Sequence, residues 1–161
     1  MASRRGPRAT GTDGSDFRHR QKVASQYSRI AQSKWRLRLM MTLHVSLVSC
    51  IVLHVVMVQN LREIEIWEWT WLVSCVACIL GYRALKKNNV VMMKGFMVGV
   101  LLFGAISVSV GLFEMAVIRP VQMVQLFLLM FGMSAGFIHV LEMMTGKILL
   151  DAWSSKGDKS S

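Results

Sequence analysis

Residues 39–58 read LMMTLHVSLVSCIVLHVVMV, twenty residues without an Asp, Glu, Lys or Arg. The hydrocarbon core of a bilayer is about 30 Å thick and an α-helix rises about 1.5 Å per residue, so roughly 20 apolar residues cross it. Outward from this stretch the same signature returns at residues 95–113 (GFMVGVLLFGAISVSVGLF) and 121–141 (VQMVQLFLLMFGMSAGFIHVL). A shorter uncharged stretch runs from Trp69 to Tyr82. The pattern predicts an all-α, polytopic membrane protein, a four-helix transmembrane bundle with spans at about 39–58, 69–85, 95–113 and 121–141. In a chain of 161 residues, 53% of them hydrophobic, the rest leaves no room for a separate soluble catalytic domain.

The net charge of +10 is concentrated at one end. Ten of the nineteen Lys and Arg precede Leu39, opposed there only by Asp13 and Asp16. The connection between the first two spans holds only Arg62 beside Glu63, Glu65 and Glu68. The next holds Arg83, Lys86, Lys87 and Lys94, the third only Arg119, and the tail Lys147, Lys156 and Lys159. Cytoplasmic flanks carry the excess of cations, so this alternation predicts four spans with both termini in the cytosol. The second span, 69–85, reads as short, with Trp67, Trp69 and Trp71 as an aromatic belt at its far end. A short span suits a thin bilayer such as that of the endoplasmic reticulum (ER).

The chain thus divides into a disordered basic arm (1–15), a juxtamembrane basic helix (16–38), a membrane domain (39–153) and a polar tail (154–161). Ser15 is a candidate N-cap, and Val23, Tyr27 and Ile30 recur at helical spacing among cations. The segment reads equally as an amphipathic helix on the cytosolic leaflet or as a solvated basic helix. Arg29, Lys34, Arg36 and Arg38 are candidate contacts for anionic lipid headgroups, worth about 1 kcal/mol per cation. Nucleic acid is not expected as a partner, because the arm is tied to a bilayer and has no nucleic-acid motif. The first apolar run starts too late for a cleavable signal, so the first span is expected to act as an uncleaved anchor.

Chemistry inside a membrane is usually betrayed by ionisable residues at depth. His44 and His54 fall in the first span and His139 in the fourth, and they read as neutral histidines hydrogen-bonded between helices. Lys94, Glu114 and Glu142 read as boundary residues. Cys50, Cys75 and Cys78 lie in spans, and the C-x-x-C at 75–78 reads as inert, since a thiol in apolar surroundings carries little thiolate. No metal site, cofactor or catalytic residue is assigned: the sequence offers no nucleophile–base–acid set, phosphate loop or HExxH. Gly95-x-x-x-Gly99 and Gly132-x-x-x-Gly136 allow close helix approach, either within the bundle or, less favoured, between copies in a homo-oligomer.

The arm also carries a run that composition would not generate, Gly11-Thr12-Asp13-Gly14-Ser15-Asp16-Phe17. Together with Lys87-Asn88-Asn89 before the third span and Leu149-Leu150-Asp151-Ala152-Trp153 after the fourth, it resembles the Jagunal family of ER membrane proteins. The resemblance implies a four-span, multi-pass, non-enzymatic protein of the ER membrane. It further implies a role in ER organisation and in vesicle-mediated transport and exocytosis in the early secretory pathway. Gly11 to Phe17 is then the candidate partner-binding segment, able to order on binding. Family members end in a dilysine-type signal for vesicle coat components. This chain retains Lys159 but has Asp158 and Gly157 beside it, a degenerate retrieval signal of a divergent member. Two other classes stay open: a small four-span transporter or channel lined by His44, His54 and His139, and a membrane-protein chaperone or cargo adaptor.

Overall fold

The computed structural model describes residues 15–58, 65–118 and 123–157, and among these every element is helical. Helix α1 spans Ser15–Val58, α2 Ile66–Lys87, α3 Val90–Gly99, α4 Ile106–Phe113 and α5 Met123–Gly157. A π-helical stretch at Val100–Ala105 joins α3 to α4, and a second, Glu114–Ile118, continues α4. The segment 90–118 is thus one rod with two wide turns, and the described residues form a bundle of four rods. Three of them contain stretches long and apolar enough to cross a membrane: Arg20–His54, Val90–Val117 and Leu128–Ser154. Helix α2 carries Glu68, Arg83, Lys86 and Lys87 and is not among them. Its 22 residues, against 17 expected for the span, rise about 33 Å, close to the thickness of a bilayer core.

Local sequence explains the helix ends. Glu65 caps α2, its backbone N–H donating to the Glu68 carboxylate at 2.9 Å in a capping box. The Asn pair noted in the sequence performs two different tasks. Asn88 closes α2 in the left-handed region, φ 51°, where Asn is tolerated. Asn89 opens α3, its side chain accepting from the Met92 N–H at 3.0 Å. Two adjacent residues therefore reverse the chain.

Helix α1 runs unbroken for 44 residues, about 66 Å, so the boundary expected at residue 38 is not a break in the helix. Its length is roughly twice a bilayer core, and the half that carries the cations extends beyond it along the same axis. That half is held by the end of α5: Leu37 and Ile30 pack with Leu149 and Trp153. Helix α5 is likewise longer than the fourth span read from the sequence and carries the Leu149–Trp153 patch within it.

Two apolar cores fill the bundle. One gathers Leu37, Met41, Ala84, Leu85, Met93, Phe96, Val100 and Leu149. The other gathers Val48, Ile51, Trp67, Trp71, Val108, Met115, Leu128 and Ala135. The large apolar side chains left exposed, among them Leu53, Val76, Val98, Met130 and Phe137, suit a protein whose outer solvent is lipid.

Candidate functional site

Between the two cores lies a polar layer. His44 sits on α1 between Met41 and Val48, Ser74 and Cys78 on α2, and His139 and Glu142 on α5 between Ala135 and Leu149. His44, His139 and Cys78 are each 1% exposed, and Ser74 and Glu142 are 0% exposed. The i, i+3 spacing of His139 and Glu142 places both on one face of α5. Gly104, in the π-helical stretch, lets that rod close over the layer: a Cβ there would meet the His139 ring at 3.0–3.2 Å. A π-turn of this kind re-aims a helix face, and such turns recur at functional sites.

Hydrogen-bond directions can be followed from the outside inward. The Trp71 indole N–H can only donate, and it reaches His139 Nε2 at 3.1 Å. His139 Nε2 is therefore the acceptor, and its Nδ1–H donates to Glu142 Oε2 at 3.1 Å. The Ser74 hydroxyl donates to the Trp71 carbonyl, so its oxygen accepts from His44 Nε2–H at 2.7 Å. A neutral His44 then carries its lone pair on Nδ1. That atom faces both Glu142 oxygens at 3.2 Å and Cys78 Sγ at 3.3 Å. An imidazole lone pair and a carboxylate repel at this distance unless a cation lies between them. A proton shared by His44 Nδ1 and the Glu142 carboxyl meets the requirement, and so does a metal ion bound by both. The rings support the arrangement, with His44 edge-on to His139 at 4.5 Å and stacked beside Trp71 at 6.5 Å.

His44 and His139 are thus joined between helices, whereas His54 lies ten residues further along α1, about 15 Å from His44. Glu142 is not a boundary residue. It is fully buried and the hub of the layer, because two histidines meet its oxygens. Cys78 belongs to the layer, and its C-x-x-C partner Cys75 is half-buried outside it. A span that ends at its first charge always places that charge at the edge, which is where the sequence pattern alone puts Glu142.

The other singled-out residues have separate places. Arg29, Arg36 and Arg38 are exposed on α1. Lys34 is half-buried and committed within the molecule: its ammonium donates to Asn88 Oδ1 and lies 5.8 Å from the centre of the Trp153 ring. Of the glycines, Gly99 is a true close approach, since a Cβ there would stand 2.6 Å from that of Ala77 on α2. Gly132 meets Leu112 in the same way at 2.9 Å, while Gly95 and Gly136 have ordinary room, at 3.8 and 4.0 Å. Gly11 to Gly14 and Lys159 lie outside the described residues. Ser15, Asp16 and Phe17 form the first turn of α1.

Comparison with known proteins finds relatives of this chain. A family model described as "Jagunal, ER re-organisation during oogenesis" matches residues 1–123. The mouse and human proteins named protein jagunal homolog 1 are each 29% identical over 174 aligned positions, covering 95% of this chain and 94% of theirs. The zebrafish protein jagunal homolog 1-B is 38% identical over 97 residues, 56% of this chain and 53% of its own length. The fruit-fly protein jagunal is 36% identical over 117 residues, 64% and 59% of the two chains.

Proposed function

The chain belongs to the Jagunal family, and from that membership we propose that it is a non-enzymatic, multi-pass protein of the ER membrane. It supports ER organisation and, through it, vesicle-mediated transport in the early secretory pathway. The observation that carries this reading is the match over residues 1–123 to a family described by ER re-organisation. The bundle supports it: its conspicuous polar groups are spent on one another, not on a water-filled path. His44, His139 and Glu142 are at most 1% exposed, which favours a scaffold over the transporter or channel alternative. The exposed cations Arg29, Arg36 and Arg38, on a helix that runs out of the bundle, suit a cytosolic face that engages anionic lipid or an acidic partner.

The test is depletion in the native cell followed by rescue. Loss of the protein should redistribute an ER membrane marker and slow the exit of a synchronised secretory cargo. The intact chain should restore both. Unchanged ER morphology and unchanged cargo kinetics in cells verified to lack the protein would refute the proposal.

A further inference from the structure

Three atoms from three helices converge in the buried layer: His44 Nδ1 from α1, Cys78 Sγ from α2 and a Glu142 carboxylate oxygen from α5. All lie within 4.8 Å of one another, with His44 Nδ1 3.2 Å from the Glu142 oxygens and 3.3 Å from Cys78 Sγ. Around a tetrahedral ion with bonds of about 2.0–2.3 Å, neighbouring ligand atoms stand roughly 3.3–3.6 Å apart. The two pairs that include His44 Nδ1 are already close to that spacing. We propose that His44, Cys78 and Glu142 form a Zn2+ site that clasps α1, α2 and α5 across the middle of the bundle.

Four features of the layer fit that occupant. First, the donors are an imidazole nitrogen, a sulfur and a carboxylate oxygen, the mixed set that zinc accepts, whereas magnesium and calcium avoid sulfur. Second, Ser74 Oγ stands 2.7 Å from the opposite ring nitrogen, where it can accept the Nε2–H and leave the lone pair on Nδ1. This is the outer-shell partner that ligating histidines characteristically have. Third, Glu142 is oriented in turn by His139 Nδ1–H at 3.1 Å, and His139 by Trp71 at 3.1 Å. Fourth, the charges balance. One Zn2+ with one thiolate and one carboxylate is neutral, as a buried site in an apolar bundle requires. On binding, the Cys78 thiol proton and the proton held between His44 and Glu142 leave to solvent, and the Zn–S, Zn–N and Zn–O bonds form. Three protein ligands leave a fourth position to a non-protein ligand. The site stands on this geometry alone and is independent of the ER role.

The experiment uses the full chain purified in detergent from cells grown in zinc-supplemented medium. Elemental mass spectrometry should find about one zinc per chain. After chelation, titration with Co2+ should produce a sulfur-to-cobalt charge-transfer absorption, competed away by Zn2+. Cys78→Ser should abolish that absorption, and Glu142→Gln should weaken Co2+ binding. Ser74→Ala should lower affinity by about 10–100-fold. Cys50→Ser and Cys75→Ser should retain the absorption, and together they assign the sulfur to Cys78 even where Cys78→Ser does not fold. A monodisperse, helical wild-type protein with neither stoichiometric zinc nor the charge-transfer band would overturn the proposal. So would a band that survives in folded Cys78→Ser.

Discussion

Glu142→Leu is the most informative single perturbation of this bundle. The carboxylate is fully buried and faces three contacts, two with His44 Nδ1 at 3.2 Å and one with His139 Nδ1 at 3.1 Å. Leucine matches much of the volume but accepts no hydrogen bond. His139 Nδ1–H then has no acceptor, and His44 Nδ1 loses its partner on α5. Breaking a buried pair by removing one partner costs about 3–5 kcal/mol, because the remaining group stays buried and uncompensated. Removing the polar layer as a unit should behave differently. In the triple variant His44→Leu, His139→Leu, Glu142→Leu, the buried pair is replaced as a whole, which is often close to neutral, and the remaining cost is the Trp71 indole N–H that loses His139 as its acceptor. The assay is reversible unfolding in mixed micelles by SDS titration, followed by far-UV circular dichroism. The single variant should lose about 3–5 kcal/mol, and the triple should recover a large part of that loss. A single-variant loss under about 0.5 kcal/mol, the size of an ordinary surface substitution, would refute the reasoning. So would a triple variant less stable than the single one, since the layer would then be stabilising as a whole and not merely internally satisfied.

Further expectations follow from other contacts. Gly99→Leu should force α3 away from α2 at Ala77 and cost about 1–3 kcal/mol in the same assay, whereas Gly95→Ala, with 3.8 Å to its nearest neighbour, should change little. Asn88→Val should destabilise by about 1–2 kcal/mol because a β-branched residue is placed at φ 51°, and Asn88→Gly should be tolerated. Cysteines introduced at Asn88 and near Met1 should react with an impermeant reagent once the plasma membrane alone is opened, and one at Asn60 should be protected; free labelling at Asn60 would contradict the four-span topology. A peptide of residues 1–38 should bind anionic liposomes with a steep salt dependence, and Lys34→Ser should weaken it no more than Arg29→Ser, Arg36→Ser or Arg38→Ser does singly.

The helices were legible because their physics is local. Length and absence of charge announce the first and third rods, and the Asn88–Asn89 pair stands where the chain turns. Helix ends beyond the apolar runs were harder to place. Nothing in residues 16–38 says whether a basic helix bends onto a leaflet or continues straight. The straight course of α1 comes from Leu37 and Ile30 meeting Leu149 and Trp153, a contact between residues more than a hundred positions apart. The same contact explains why α5 continues past residue 141, since its far end has a partner to pack against.

The polar layer was legible only in part, for a reason that lies in helix geometry. His44 and His139 declare themselves because histidine inside a span needs a partner. Their common partner does not, because the sequence contains no information on which face of α5 meets which face of α1. His139 and Glu142 are three residues apart and therefore share a face, and an acid one turn from a buried histidine is the signal that was available. It was outweighed by the position of Glu142 directly after a 21-residue uncharged run. Cys78 is similar: the C-x-x-C spacing draws attention to a pair, yet only Cys78 is buried in the layer and Cys75 stays outside it. The rule that follows is physical. In a membrane bundle an ionisable residue at the apparent end of a span should be tested against histidines and thiols on the other spans before it is assigned to the interface. Burial of such a group is tolerated only when partners from other helices satisfy it, as His44 does for Glu142 here.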